Sequence, residues 1–116
     1  MLILIVLGTL SVLLIVIHLR ITHPYFLHPS DQPGISIVMH PLNGSNYESW
    51  SSATLMAFDV KNKSGFVDGT IVQPSPDSSL YSSWKRANSL VTIWLRNSIC
   101  DEIRQSILYI TVACDL

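Results

Sequence analysis

The stretch Leu80–Ser98, LYSSWKRANSLVTIWLRNS, decides the fold. Leu80, Trp84, Ala87, Val91, Trp94, Leu95 and Ser98 recur at helical spacing, so they mark one face of a helix running to about Asn97. Lys85, Arg86 and Arg96 fall between them, as on a solvated face beside a core stripe. Trp84 and Trp94 stand at core positions, where packing accounts for them better than ligand stacking. The loop before this helix, Gln73–Ser78, is QPSPDS and ends in residues that start helices.

Upstream, Ser45-Asn46-Tyr47-Glu48 matches the S-x-x-E capping box. Tyr47, Trp50, Thr54, Ala57 and Val60 follow at three- and four-residue spacing, with Leu55 and Phe58 beside them. That predicts an amphipathic helix to about Lys61, closed by Gly65. Asp68-Gly69, between apolar neighbours, predicts a tight turn with positive φ at both central residues. Asp-Gly-Thr is the wrong order for an aspartic protease loop, which needs Asp-Thr-Gly or Asp-Ser-Gly. Downstream, Asp101 is a cap for a third helix with Ile103, Ile107 and Leu108 inward. Thr111 would open a fourth helix, which is incomplete at Leu116.

The expected fold is therefore all-α. Residues 42–116 form a small bundle of three helices with one Asp-Gly turn and an incomplete fourth helix. Residues 21–41 read as an extended linker, because Pro24, Pro29, Pro33 and Pro41 remove backbone donors and bias their neighbours to extended conformations. Ile35–Met39 within it is rich in β-branched residues and reads as a short strand. Residues 1–20 are apolar, with no charge before Arg20. A helix needs about 20 apolar residues to cross a bilayer core of about 30 Å, and Leu2–Leu19 reaches that range. A membrane anchor, a signal peptide and a foreign extension compete for it. No Lys or Arg precedes the run and no small-x-small cleavage site follows it, which disfavours the signal peptide. As an anchor it would leave the domain cytoplasmic by the positive-inside tendency, on the strength of Arg20 alone; otherwise the protein is expected in the cytoplasm.

A net charge of −1 over 116 residues excludes a general field that recruits nucleic acid. Cys100 and Cys114 make neither a C-x-x-C pair nor a disulfide framework, and free thiols fit better. His18, His23, His28 and His40 have no metal-ligand spacing. There is no glycine-rich phosphate loop and no nucleophile elbow. The glycosylation sequons Asn43-Gly44-Ser45 and Asn62-Lys63-Ser64 count only in a secretory lumen. Neither catalysis nor a cofactor or metal is expected.

Five blocks carry a family resemblance: PYFLHPSDQPG (24–34), PLNGSNYESW (41–50), KNKSGFVDGTI (61–71), QPSPDSSLYSSWKRANSLVTIWLRNSI (73–99) and EIRQSILYITVACDL (102–116). In this order and spacing, residues 24–116 resemble the N-terminal domain of the Gag region in plant Copia-type retrotransposon polyproteins. The resemblance implies an α-helical domain that leads a polyprotein packaging element RNA into particles, with no enzyme activity in this segment. The family's zinc knuckle, C-x-x-C-x-x-x-x-H-x-x-x-x-C, and its further helix have no counterpart here, and the family usually opens on a polar lead. The expectation is a truncated or domesticated element fragment acting as a structural, self-associating module. Tyr47, Trp50, Trp84 and Trp94 are its candidate packing and interaction residues. Lys85, Arg86, Arg96 and Arg104 are candidates for weak RNA contact, though RNA binding is not expected without a zinc knuckle. The alternative is a single-pass membrane protein, inserted through residues 1–20, whose helical domain binds a cytosolic partner.

Overall fold

A computed structural model describes residues 8–15, 17, 22–106 and 113. Its named elements are α1 (Tyr47–Val60), α2 (Ser64–Asp68), α3 (Tyr81–Asn97) and α4 (Asp101–Ser106), and residues 8–15 are also helical. The all-α expectation holds: among the described residues the only sheet-like feature is an isolated parallel bridge between Leu42 and Ile99. The Leu42 N–H donates to the Ser98 carbonyl at 2.8 Å, and the Cys100 N–H donates to the Leu42 carbonyl at 2.9 Å.

The long helix α3 is the axis of the core. It buries Trp84, Ala87, Leu90, Val91, Trp94 and Leu95, and Phe58 of α1 and Phe66 of α2 pack into the same cluster. The predicted face is correct apart from its first member. Leu80 precedes the helix and is half exposed, while Leu90 is buried in the cluster. Asn88 and Thr92 are buried too: the Thr92 hydroxyl donates to the Asn88 carbonyl at 2.8 Å, and the Asn88 side-chain oxygen accepts the Ala113 N–H at 3.1 Å.

Helix α1 spans the predicted residues but is capped differently. The Ser45 N–H and hydroxyl both donate to Asn43 Oδ1, at 3.0 and 2.9 Å. Asn46 Oδ1 accepts the Asn43 N–H at 2.9 Å, and Asn46 Nδ2 donates to the Pro41 carbonyl at 3.0 Å. This Asx turn takes the Ser45 N–H that the Glu48 carboxylate would accept in a capping box, and the helix starts one residue later, so the box does not form; Asn46 takes the N-cap position without a side-chain cap bond. The buried face is also rotated from the predicted one. Thr54 and Phe58 are buried and Trp50 and Ala57 half-buried, whereas Tyr47 and Val60 point outward.

The end of α1 is a Schellman motif with Asn62, not Gly65, as its left-handed residue (φ 57°). The Lys63 N–H reaches the Phe58 carbonyl at 2.8 Å and the Asn62 N–H the Asp59 carbonyl at 3.0 Å. Gly65 lies inside α2 instead, where a Cβ would come within 2.6 Å of the Ile71 side chain. Asp68-Gly69 has one positive φ rather than two: Gly69, at φ 82°, ends α2. Asp68 Oδ1 then accepts the Thr70 N–H and hydroxyl at 2.9 and 2.7 Å.

The stretch read as a linker lies against the helices as a strap. Tyr25, Leu27 and Ile37 pack on the core. Side-chain donors from the α1–α2 connection and from α3 hold its carbonyls: Asn62 Nδ2 to Thr22 O (2.7 Å), Lys63 Nζ to Phe26 O (2.8 Å), Trp94 Nε1 to Gln32 O (2.8 Å) and Asn97 Nδ2 to Pro33 O (3.1 Å). Ile35–Met39 does not form a strand; the Ser36 hydroxyl turns back to the Val38 carbonyl at 2.6 Å. The prolines withhold the regular donors of a ladder, and side chains satisfy the carbonyls instead.

Among the described residues no helix is long and apolar enough to cross a membrane, so the transmembrane expectation gains no support. Residues 1–7, 16 and 18–20 of that apolar segment lie outside the described residues, as do Ile21, Ile107, Leu108, Thr111 and Cys114.

The close approach at Gly65 gives a direct test. Gly65→Ala should destabilise the fold by ~1–3 kcal/mol, as overpacking does, with a lower urea midpoint and an unchanged m-value.

Candidate functional site

The four candidate packing residues divide by burial. Trp84 and Trp94 are buried in the core. Trp50 is half-buried, and its Nε1 donates to the Ser98 carbonyl at 2.8 Å, tying α1 to the end of α3. Tyr47 is exposed, its ring centroid 6.3 Å from that of Trp50. Trp84 and Trp94 therefore act within the fold, and Tyr47 is the member on the surface.

The four basic candidates do not converge. Lys85 and Arg86 are exposed on α3, Arg96 is half-buried near its far end, and Arg104 on α4 is ion-paired with Asp101. Lys85 and Arg86 line a groove of about 410 Å³ between the strap and α3, and neither Arg96 nor Arg104 borders it. Leu27, Pro33, Leu90 and Ile93 supply its apolar surface. A neighbouring groove of about 550 Å³ continues past Arg86 and Leu27 to Leu80 and His23.

A polar cluster that sequence reasoning missed sits where the strap meets the end of α1. Lys63 is only 2% exposed. Its ammonium donates to the Phe26 carbonyl at 2.8 Å and the Lys61 carbonyl at 3.4 Å. Burial pulls its pKa below the ordinary 10.5; the Asp31 carboxylate opposes that shift and the Lys61 ammonium adds to it. Asp31 pairs with Lys61 at 3.4 Å and also accepts the His28 N–H at 2.9 Å. Lys61 in turn stands 4.8 Å from the Trp94 ring centroid, a cation–π contact. A buried lysine of lowered pKa has the makings of a nucleophile. Here the two carbonyls hold its amine, and its role is to bind the strap. Nothing in the local sequence marks it, because its partner lies 37 residues away.

Asp68 is held below its ordinary carboxyl range by the Thr70 backbone N–H first and the Thr70 hydroxyl second, a local feature of the turn after α2. Among the described residues no three His, Cys, Asp or Glu side chains are grouped to hold a metal. Cys100 is a half-buried free thiol.

Exposed large apolar side chains are most numerous near the N-terminus (Leu10, Val12, Leu13, Leu14, Ile15 and Ile17), and α1 carries a second such face. Leu55, Met56 and Val60 are 48%, 68% and 88% exposed, although the opposite side of the same helix forms part of the core.

Residues 28–75 match the family described as the Gag-polypeptide of LTR copia-type. This stretch is a copia-type Gag-like region. It takes in most of the strap, the Asx turn, α1 and α2, and ends before α3. The Lys63–Phe26 contact thus joins a residue inside the matched region to one just ahead of it. No curated protein and no solved structure matches the chain.

The lowered pKa of Lys63 sets a sign for pH dependence. Between its folded value and 10.5 the unfolded chain binds more protons, so stability contributed at this site rises with pH across that window. Below the folded value the cost of burying the charge is fully present. Urea melts of the protein and of Lys63→Met, at about pH 7 and about pH 10, should show the difference moving in favour of the lysine at the higher pH. A difference that stays constant or moves the other way would contradict the burial of the ammonium.

Proposed function

We propose that this chain is a non-enzymatic structural module of retrotransposon Gag type, and that it works by associating with copies of itself. The match of residues 28–75 to copia-type Gag supplies the class. The observation that carries the reading is the outer face of α1. A helix apolar on one side only is a surface helix, whereas one apolar on both sides calls for a second partner. α1 puts Phe58 in the core and still exposes Leu55, Met56 and Val60. A face of this kind on a soluble domain is a mark of protein contact.

Chemistry within the fold supports the non-enzymatic part of the proposal. The buried ammonium of Lys63 is held by the Phe26 carbonyl of the strap and the Lys61 carbonyl at the end of α1. RNA contact is the weaker reading. Lys85 and Arg86 are the two basic candidates that stand exposed together, and neutralising two phosphates on a single strand gives a salt slope of only about −1.4.

Sedimentation velocity over a concentration series tests the proposal on the full chain. Wild type should shift to larger species as concentration rises. Met56→Glu with Val60→Glu, both at exposed positions, should keep the helical circular dichroism and weaken association at least ~10-fold, since a charge buried in an apolar contact is costly. Association that ignores the double variant would show that α1 is not the contact, and a wild-type chain monomeric throughout would end the reading.

A further inference from the structure

We infer that the contact is head-to-tail: the outer face of α1 of one copy seats in the groove between the strap and α3 of the next. This rests on the self-association reading and adds which two surfaces meet. The argument is charge. The charged residues of α1 are Glu48 and Asp59, both exposed and both acidic. They are eleven positions apart, about three turns and ~16 Å along the axis, so they lie on one edge of the helix, with Leu55 between them. Met56 and Val60 rise beside that edge. The result is an apolar stripe with an acidic border.

The groove is its complement. Leu27, Pro33, Leu90 and Ile93 give it an apolar surface, and Lys85 and Arg86 give it a basic rim. Ser89 and Ile93 follow Lys85 at four-residue steps, and Leu90 follows Arg86, so one side of α3 supplies that wall. Asp31 also borders the groove, but it is paired with Lys61 and its side chain is only 8% exposed, so it does not cancel the rim.

The same charges disfavour a symmetric pairing of α1 on α1. In an antiparallel two-fold pair the acidic edges meet, and Glu48 of each copy stands beside Asp59 of the other. In a parallel pair both acids are left without a basic partner. The groove offers the opposite sign, and it shares no residue with the α1 face. A copy engaged through one surface keeps the other free. Contacts of this heterologous kind continue into rings or filaments instead of stopping at a dimer.

Two variants of the full chain, studied apart and then mixed, decide the matter. The groove variant is Lys85→Glu with Arg86→Glu; the helix variant is Met56→Glu with Val60→Glu. All four positions are exposed, and circular dichroism with tryptophan fluorescence verifies that each variant is folded. Each alone should self-associate at least ~10-fold more weakly than wild type. Mixed in equal amounts, the intact α1 of the groove variant should enter the intact groove of the helix variant, giving a one-to-one dimer that grows no further. Wild-type association should also fall as salt is raised from about 50 to about 500 mM, since the rim is solvent-exposed. A groove variant that assembles like wild type overturns the inference and leaves self-association standing. Variants that are monomeric alone and stay monomeric on mixing also overturn it, in favour of a symmetric contact. Wild type, groove variant and helix variant assembling alike would remove both surfaces, and a monomeric wild type would overturn the underlying reading as well.

Discussion

Trp94 is fully buried and has one polar atom, and that atom has to find an acceptor inside the protein. It finds the Gln32 carbonyl at 2.8 Å, and the rest of the architecture follows from that meeting. The strap is held to α3 at residue 32, which brings Asp31 to Lys61, and Lys61 onto the face of the Trp94 ring. Phe58 packs against the Trp94 ring as well, at 6.3 Å between centroids, so α1 is fixed to the same point. The strap has no regular ladder of its own. Its carbonyls at 22, 26, 32 and 33 are each met by a side-chain donor, two from the α1–α2 connection and two from α3. The price of that arrangement is a buried ammonium at Lys63, whose charge is stabilised by a carbonyl and by the field of Asp31.

The sequence shows α3 almost completely, because its signal is local. Seven residues at helical spacing name one face, and six of them are buried. α1 is legible in extent but not in rotation. Tyr47 and Val60 continue the apolar spacing outward, since the helix is apolar on both sides and periodicity alone does not choose between them. Its cap departs from the capping box because Asn43, two residues before Ser45, takes the Ser45 N–H that Glu48 would need. Its end was misread because Asn in the left-handed region does the work usually given to glycine. The strap was the largest loss. Its bonds join residues 37 to 64 positions apart, and proline content predicts the missing donors without predicting who replaces them. Lys63 was invisible for the same reason.

The copia-type match ends at residue 75, yet the core does not. Phe58 and Phe66 lie inside the matched stretch and are buried by Trp84, Val91 and Trp94, which lie outside it. The Gag-like region therefore shares one core with α3, and its stability is a property of both. The groove is divided in the same way: Asp31 and Pro33 lie inside the matched stretch, Lys85, Arg86 and Ile93 outside it.

A net charge of −1 hides this division. It bounds what the whole chain attracts at a distance, but it says nothing of how signs are sorted over the surface. The exposed charges of α1 are acidic and the fully exposed ones of α3 are basic. A molecule sorted in this way has a direction, and like copies meet most favourably when unlike faces are opposed. In the head-to-tail contact proposed above, each copy would offer a single helix face, a small area beside that of a stable dimer of ordinary size. Strength in such an assembly would come from repetition, because each added copy would present the next with the same pair of surfaces. Weak, directional and repeatable contacts of that kind let a structural protein build a large object while remaining dispersed at low concentration.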